Sequence, residues 1–466
     1  MTRLLRLNAF EMNCVGHQSP GLWTHPADRS WQYKDLDYWI ELARLLERGL
    51  FDGLFIADVL GVYDVYQNSS AAALRQAAQI PVNDPLQLIP PMALVTQHLG
   101  FGLTASISFE HPFPFARRLS TLDHLTQGRA GWNIVTSYLE SGARNLGLRQ
   151  QVEHDTRYDY ADEYLEVCYK LLEGSWEDGA VQRDRERRIF TDPARVHPIR
   201  HQGRWFEVPG IHLSEPSIQR TPVLYQAGTS RRGRRFAGQH AECVFLASPS
   251  KAALARQIRS LREEAVRAGR DPSALLFFNL LTLVIADTDA QAKAKLDDYR
   301  RHASREGALA LMSGWTGIDL AAYPPDQPLQ KVNTQAIQSA VEAFSDADTD
   351  TDTEWTVDAL ARWAGIGGLG PLLVGSPATV ADELQAWQEA SGVDGFNLAY
   401  AIAPRSFEDI VELLVPELQR RGIYKTAYAP GSLRHKLFDR GDRLQSPHPA
   451  AHWREAIPRQ AVNLQY

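Results

Sequence analysis

The sequence predicts an α/β protein: one closed (β/α)8 barrel of the TIM type, with insertions. Three observations predict it. Short apolar runs alternate with segments of helical periodicity, making eight strand–helix units along the chain. Those runs are apolar at consecutive positions rather than at every second one, as in parallel strands covered by helices. Polar residues then gather where the runs end: Asn13, Asp58, Thr104 to Ser108, Asn133 to Ser137, Gly228 to Ser230, and Asn397 to Tyr400. Barrels place their chemistry at these C-terminal strand ends. An open, doubly wound sheet is the competing arrangement.

The elements follow in order. RLLRLNAFEMN (3–13) reads as a strand. Leu36, Trp39, Ile40, Ala43, Leu46 and Leu50 recur at helical spacing around 35–49, with Gly49 near the end. FDGLFIAD (51–58) is a strand closed by an acid. Residues 84–98 are helix-like, GFGLTASISF (100–109) is a strand, 113–126 is helix-like, and RAGWNIVTS (129–137) is the fourth strand. A long amphipathic helix is predicted over 156–173. The rhythm breaks at 174–220, which is polar and carries Pro193, Pro198, Pro209 and Pro216, and this reads as an insertion. The alternation resumes with strand TPVLYQAG (221–228), helix 230–240, strand AECVFLA (241–247), helix 251–268, strand LLFFNLLTLVIA (275–286) and helix 290–301. A second irregular stretch, 303–374, holds the acidic tract DADTDTDTE (346–354), predicted to be exposed and mobile. A helix over 379–390, the strand GVDGFNLAYA (392–401) and a helix over 407–421 complete a single domain, 1–421. The extension 422–466 has little periodicity and is predicted to wrap the body or a neighbouring subunit.

Bulk properties exclude several classes. A net charge of -7 argues against a general nucleic-acid binder. No apolar run approaches the roughly 20 residues a membrane helix needs. MTRLLRLNAF is too short and interrupted for a signal peptide. Cys14, Cys168 and Cys243 are far apart and odd in number, so no disulfide framework is expected and a reducing cytoplasm fits.

The strongest local signal is PVLYQAGTSRRGRRFAGQHA (222–241). A strand ends at Ala227-Gly228, and Thr229 and Ser230 open a helix whose free N–H groups and dipole suit a phosphate. The alternative is a plain N-cap on a helix with a solvated basic face of Arg231, Arg232, Arg234 and Arg235. Asp58 either orients a polar ligand or caps its loop. Thr104 and Ser106 share a strand face, and His154 and Tyr158 share a helix face. Asn133, inside the apolar run AGWNIV, faces either a ligand or the barrel's own hydrogen bonds, with Ser137 expected on its face of the strand and Thr136 on the other. Other motifs lack their context. GIGGLG (365–370) is followed by Pro371 rather than a helix, GTSRRG (228–233) is not a nucleophile elbow, and the two histidines of HPIRH (197–201) flank Pro198 with no third metal ligand near. No metal is expected.

A series of longer stretches resembles a known family. GRAGWNIVTSYLESGARNLGL (128–148), RYDYADEYLEVCYKLLEGSWEDGAVQRD (157–184), FTDPARVHPIRHQGRWFEVPG (190–210) and PVLYQAGTSRRGRRFAGQHAECVF (222–245) occur in order, and SGWTGIDL (313–320) and VGSPATVADEL (374–384) fit as well. Together they resemble the flavin-dependent monooxygenases of the nitrilotriacetate, EDTA and dibenzothiophene-sulfone group, within the bacterial luciferase-like superfamily. The resemblance implies a luciferase-like barrel that takes FMNH2 from a separate NAD(P)H-dependent flavin reductase. It would form a C4a-(hydro)peroxyflavin with O2 and insert one oxygen atom into a small organic substrate of xenobiotic type. It also implies FMN contacts at Asp58, Thr104, His154, Tyr158 and Ser230, the first two at the ring and the others at the phosphate end. Asn133 and Thr229 join them from the residue reading. His17, Tyr63, Ser137 and Met312 are placed on the substrate side, Phe55, Phe109, Trp132 and Phe245 favour an apolar or aromatic substrate, and no acid or base is assigned. The two insertions are candidate lids. Relatives of this kind are commonly dimers or tetramers. Three rivals stand beside this reading: an F420-dependent oxidoreductase of the same superfamily, a non-oxidising barrel for a phosphorylated metabolite, and a non-catalytic flavin-binding barrel.

Overall fold

The computed structural model describes residues 3–327 and 356–455. Eight parallel strands form a closed barrel: β1 (Arg6–Met12), β2 (Gly53–Ala57), β3 (Gly100–Ser106), β4 (Ala130–Val135), β5 (Val223–Gln226), β6 (Cys243–Leu246), β7 (Leu276–Ile285) and β8 (Gly395–Ala399). Neighbours in the chain are neighbours in the sheet, and β8 closes between β7 and β1. The open-sheet alternative is therefore excluded. β7 is ten residues long and buried throughout, and it serves three partners. Its first half pairs with β6 and β8, and Thr282–Ile285 pairs with an added strand, Leu372–Gly375, supplied by the second insertion.

Helices cover the barrel: α1 (Leu36–Arg48), α2 (Pro112–Leu125), α3 (His154–Tyr169), α4 (Arg231–His240), α5 (Lys251–Arg267), α6 (Asp289–His302), α7 (Arg305–Thr316) and α8 (Pro377–Ser391). Their starts obey local chemistry. Ser230, Ser250, Thr288, Ser304 and Ser376 each accept a backbone N–H of their first turn. The helix expected over 84–98 is instead a 3-10 turn, Pro85–Leu88, followed by a short helix, Ile89–Leu94. Pro90 and Pro91 explain the break, since proline has no N–H to donate and is tolerated only in a helix's first turn. Strand β4 also ends earlier than expected, at Val135.

The main apolar core lies between strands and helices. The barrel interior is filled from below by aromatic rings: Phe55 and Phe245 meet at 4.2 Å, and Tyr225 stacks on Phe245 at 5.2 Å. The extension contributes the helix Leu433–Phe438, whose Leu433 and Leu437 join that same aromatic cluster. Arg434 enters with it and forms a buried ion pair with Glu242 (2.7 Å). The first insertion carries two small hairpins, Val181–Asp184 with Ile189–Thr191 and His201–Gln202 with Glu207–Val208. Glu163 on α3 anchors the second hairpin by accepting the N–H groups of Arg204, Trp205 and Phe206. The second insertion supplies α7 and the helix Val357–Ala364 over the barrel mouth. The acidic tract 346–354 lies outside the described residues.

Candidate active site

A cavity of about 290 Å³ opens at the C-terminal ends of the strands, above the aromatic floor of Phe10, Phe55 and Phe245. Asp58, Thr104, Asn133, Thr229 and Asn397 bring polar groups into it from β2, β3, β4, the β5–α4 turn and β8. Thr104 and Asn133 are register partners on adjacent strands, and Asn133 Nδ2 donates to Thr104 Oγ1 (3.0 Å). Asn133 Oδ1 then has no partner. Neither do Asn397 Oδ1, Thr229 Oγ1 and Gln257 Oε1, all buried on the same cavity. A buried polar atom without a hydrogen bond costs about 1–3 kcal/mol, and folded proteins keep such atoms few. With His17 Nδ1, five such atoms line one space, and the four oxygens suit a ligand rich in N–H and O–H donors. Burial, with Asp84's charge adding to it and the Val59 N–H opposing, raises the Asp58 carboxyl to about 7. Asp58 therefore exchanges a proton near neutral pH.

The turn 227–230 joins this cavity to a second, wider cleft of about 1250 Å³. Thr229 faces the inner space, while Ser230, His154, Arg231 and Arg235 face the outer one. Ser230 Oγ caps α4 by accepting the Gly233 N–H (3.0 Å) and lies 3.3 Å from His154 Nε2. The cap reading of this motif therefore holds, and Ser230 also faces the cleft. Tyr158 sits beneath the turn. A Cβ on Gly228 would lie 2.3 Å from the Tyr158 hydroxyl, so only glycine permits this approach. Burial pushes that phenol up to about 12, which keeps it a neutral hydrogen-bonding group. Arg232 is held by Asp159 (2.9 Å) and Asp162 (2.6 Å), and Arg234 donates to the Thr229 carbonyl (2.6 Å). Arg231 and Arg235 have no carboxylate partner among the described residues.

A second group of residues lining the inner cavity has a different character. The Tyr63 hydroxyl donates to Gln79 Oε1 (2.7 Å), accepts from Trp315 Nε1 (3.1 Å) and meets the Tyr138 hydroxyl (2.9 Å). Gln79 Nε2 donates to the His17 carbonyl (2.8 Å), and Gln18 Nε2 lies 3.1 Å from His17 Nε2. Burial lowers His17 to about 3, so its ring is neutral. Tyr63, Gln79 and Trp315 are thus spent on one another and present mainly carbon to the cavity. No lysine or arginine lines it among the described residues.

Asp58, Thr104, Asn133, Thr229, His17 and Tyr63 therefore meet in one cavity, and His154, Tyr158 and Ser230 in the adjoining turn and cleft. Ser137 is a correction. Beyond the end of β4 its φ is 53°, so strand alternation no longer applies, and its hydroxyl bonds Ser106 Oγ (2.7 Å) away from the cavity lining. Met312 is buried within the α7 packing. Trp132 points outward to Phe115 and Tyr164. GIGGLG forms a mouth loop with positive φ at Gly367 and Gly368, and its Leu369 lines the cavity. Asn397, named at a strand end but given no role by sequence, lines the cavity, and an Asn inside the apolar run GFNLA is the same signal as Asn133. Sequence reasoning missed Gln257, Gln79, Tyr138 and Trp315, which no local pattern marks.

Among the described residues one side-chain group has metal-ligand character: His25, Asp298 and His302. His25 Nδ1 accepts the Ala27 N–H (3.1 Å), which leaves the ring proton on Nε2, facing Asp298 (3.1 Å). His302 Nδ1 pairs instead with Thr24 Oγ1 (3.0 Å). No helix among the described residues is long and apolar enough to cross a membrane.

Comparison with known proteins gives a consistent answer. The family model described as luciferase-like monooxygenase matches residues 10–394. The dimethyl-sulfide monooxygenase of Hyphomicrobium sulfonivorans is 53% identical over 458 residues, 98% of this chain and 95% of that one. The long-chain alkane monooxygenase of Geobacillus thermodenitrificans is 49% identical over 97% of this chain and 99% of that one. A riboflavin lyase solved with modified FMN and riboflavin superposes with a TM-score of 0.91 at 36% identity, covering 97% of this chain and 100% of that one. This barrel, with its donor-seeking cavity and adjoining basic cleft, belongs to the luciferase-like monooxygenase family, and the chain is a flavin-dependent monooxygenase.

Proposed function

We propose that the chain uses reduced FMN, delivered by a separate flavin reductase, to insert one atom of O2 into a small, uncharged, apolar substrate. The single observation carrying this reading is the two kinds of polar group that line the inner cavity. Asn133, Thr229, Asn397 and Gln257 bring buried, unpartnered oxygens into it, whereas Tyr63, Gln79 and Trp315 have their hydroxyl, amide and indole groups spent on one another. When bound, reduced flavin supplies the two electrons with which O2 is split between product and water.

The chain's own residues bind, orient and exclude water. Asn133, Thr229, Asn397 and Gln257 accept from the ring N–H groups and the ribityl hydroxyls. The α4 N-terminus, Ser230, His154 and the Tyr158 hydroxyl hold the phosphate, with Arg231 and Arg235 adding positive field. Asp58 holds or releases a proton at its carboxyl beside the ring. The Tyr63–Tyr138–Trp315 wall receives the substrate, and α7 above it keeps water out, which limits unproductive release of hydrogen peroxide. A polyanion would find no counter-charge in this cavity. Dimethyl sulfide and long-chain alkanes, named in two relatives, are uncharged and apolar, and sulfur packs well against aromatic rings.

Stopped-flow mixing of the purified protein with FMNH2 and then O2 tests the reading. Reoxidation should be slowed well beyond that of free flavin and should accelerate when dimethyl sulfide or a short alkane is added. Reoxidation at the free-flavin rate, with or without these substrates, overturns it.

A further inference from the structure

We propose that Gly314 is a specificity-determining residue: the bare backbone there lets the Tyr63 ring lie back on α7, and this sets how large an apolar substrate the cavity admits. The inference rests on reading the Tyr63 wall as the substrate side.

Helix α7 is buried at every residue from Gly307 to Thr316. A helix enclosed on all sides has to fit each neighbour closely. Gly307 and Gly314 are seven residues apart, about two turns, and so share one face. That face rests directly on its surroundings. A Cβ on Gly307 would lie 2.6 Å from Pro20 Cβ and 3.0 Å from Gln76 Cβ. A Cβ on Gly314 would lie 1.9 Å from Cδ1 of Tyr63, 2.7 Å from Cε1 and 2.9 Å from Cγ. These are overlaps with ring carbons, and no rotamer change of a flexible tip relieves them.

Tyr63 stands between α7 and the cavity, buried on one side and lining the cavity on the other. Its hydroxyl is held by Gln79, Trp315 and Tyr138. A methyl at 314 therefore pushes the ring pivoting about its fixed hydroxyl, and the free direction is into the cavity. Core packing transmits such a push rather than absorbing it. Substrate bulk is lost while Asn133, held by Thr104, and Thr229, neither of which Gly314 meets, keep their geometry. Gly307 provides an internal control, because it carries a comparable clash on the same helix face but against Pro20 and Gln76.

The test compares Gly314→Ala and Gly307→Ala with wild type. Crystal structures report the Tyr63 ring position, and a series of dimethyl, diethyl and dipropyl sulfide reports kcat/KM. Gly314→Ala should show the ring advanced into the cavity and at least a tenfold fall in the dipropyl-to-dimethyl ratio, a fall that even one of the four methylenes separating these substrates can command in an apolar pocket. FMNH2 affinity should stay within twofold. Gly307→Ala should leave both the ring and the ratio unchanged. An unmoved ring in Gly314→Ala, or an equal effect of both variants on the ratio, overturns the proposal. If wild type oxidises no sulfide, the substrate reading fails separately, and the ring position alone decides whether Gly314 sets the cavity.

Discussion

Asn133→Ala tests the flavin cradle most directly. Asn133 is 4% exposed, with Nδ2 bonded to Thr104 and Oδ1 without a partner. In the free protein the substitution removes one bond, worth about 1 kcal/mol net, but also removes the bare Oδ1, so the two changes largely offset. In the complex the balance differs. The ligand N–H that Oδ1 would accept is left bare in a dry cavity, a loss of about 1–3 kcal/mol. That converts to roughly 5- to 150-fold weaker binding at 1.4 kcal/mol per tenfold. Anaerobic fluorescence titration with FMNH2 measures the change. Ser230→Ala, at the other end of the site, serves as a partner: well-separated effects add, so the double variant should show the product of the two losses. An FMNH2 Kd within twofold of wild type, in a protein with an unchanged melting curve, would refute the reasoning.

Asp58→Asn probes the raised carboxyl. Because the native pKa of about 7 exceeds the ordinary 3.8, the native state holds the extra proton between those values, and stability falls as pH rises through the window. The variant loses that fall: it should match wild type near pH 4 and exceed it above pH 7. The ceiling is about 4 kcal/mol, reduced to about 1–2 by solvent at the cavity mouth, and denaturant melts at the two pH values measure it. Tyr63→Phe leaves Gln79, Trp315 and Tyr138 without their shared hydroxyl. It should raise hydrogen peroxide released per FMNH2 several-fold, read by a peroxide assay during turnover, and normal coupling would remove Tyr63 from the water-excluding wall. Arg434→Ala leaves Glu242 charged and buried. It should destabilise by about 3–5 kcal/mol in denaturant unfolding, whereas a loss below about 1 kcal/mol would show that the pair is not dry.

Much of this barrel was legible because its strands are buried on both faces. Continuous apolar runs and helical periodicity located all eight strands, and Asp58, Thr104 and Asn133 stood out as polar groups at or within them. What was missed has physical causes. Pro90 and Pro91 shortened a helix that apolar spacing alone extended. Ser137 was assigned by strand alternation, yet its positive φ lies just past the strand's end, where period two means nothing. Trp132 was counted toward the cavity because it is aromatic, but strand parity sends it outward, opposite to Asn133. Gln79, Gln257 and Trp315 come from a loop and two helices distant in sequence. Only the closed fold brings them to the mouth.

The same distinction explains why the proposed flavin contacts were easier to read than the proposed substrate contacts. A cradle for N–H donors must keep polar atoms unpaired in a buried place, and a polar residue within an apolar strand advertises itself. A wall for an apolar molecule has to hide its polar atoms, so its members are recognised only by whom they bond. Tyr63, Gln79, Tyr138 and Trp315 illustrate this, each satisfied by the others and none exceptional alone. On the proposed reading the arrangement also gives turnover a direction: oxygenation would add a hydrogen-bonding group to a molecule that entered without one, and Tyr63, Gln79 and Trp315, already engaged with one another, would favour its exchange for water and a fresh apolar substrate.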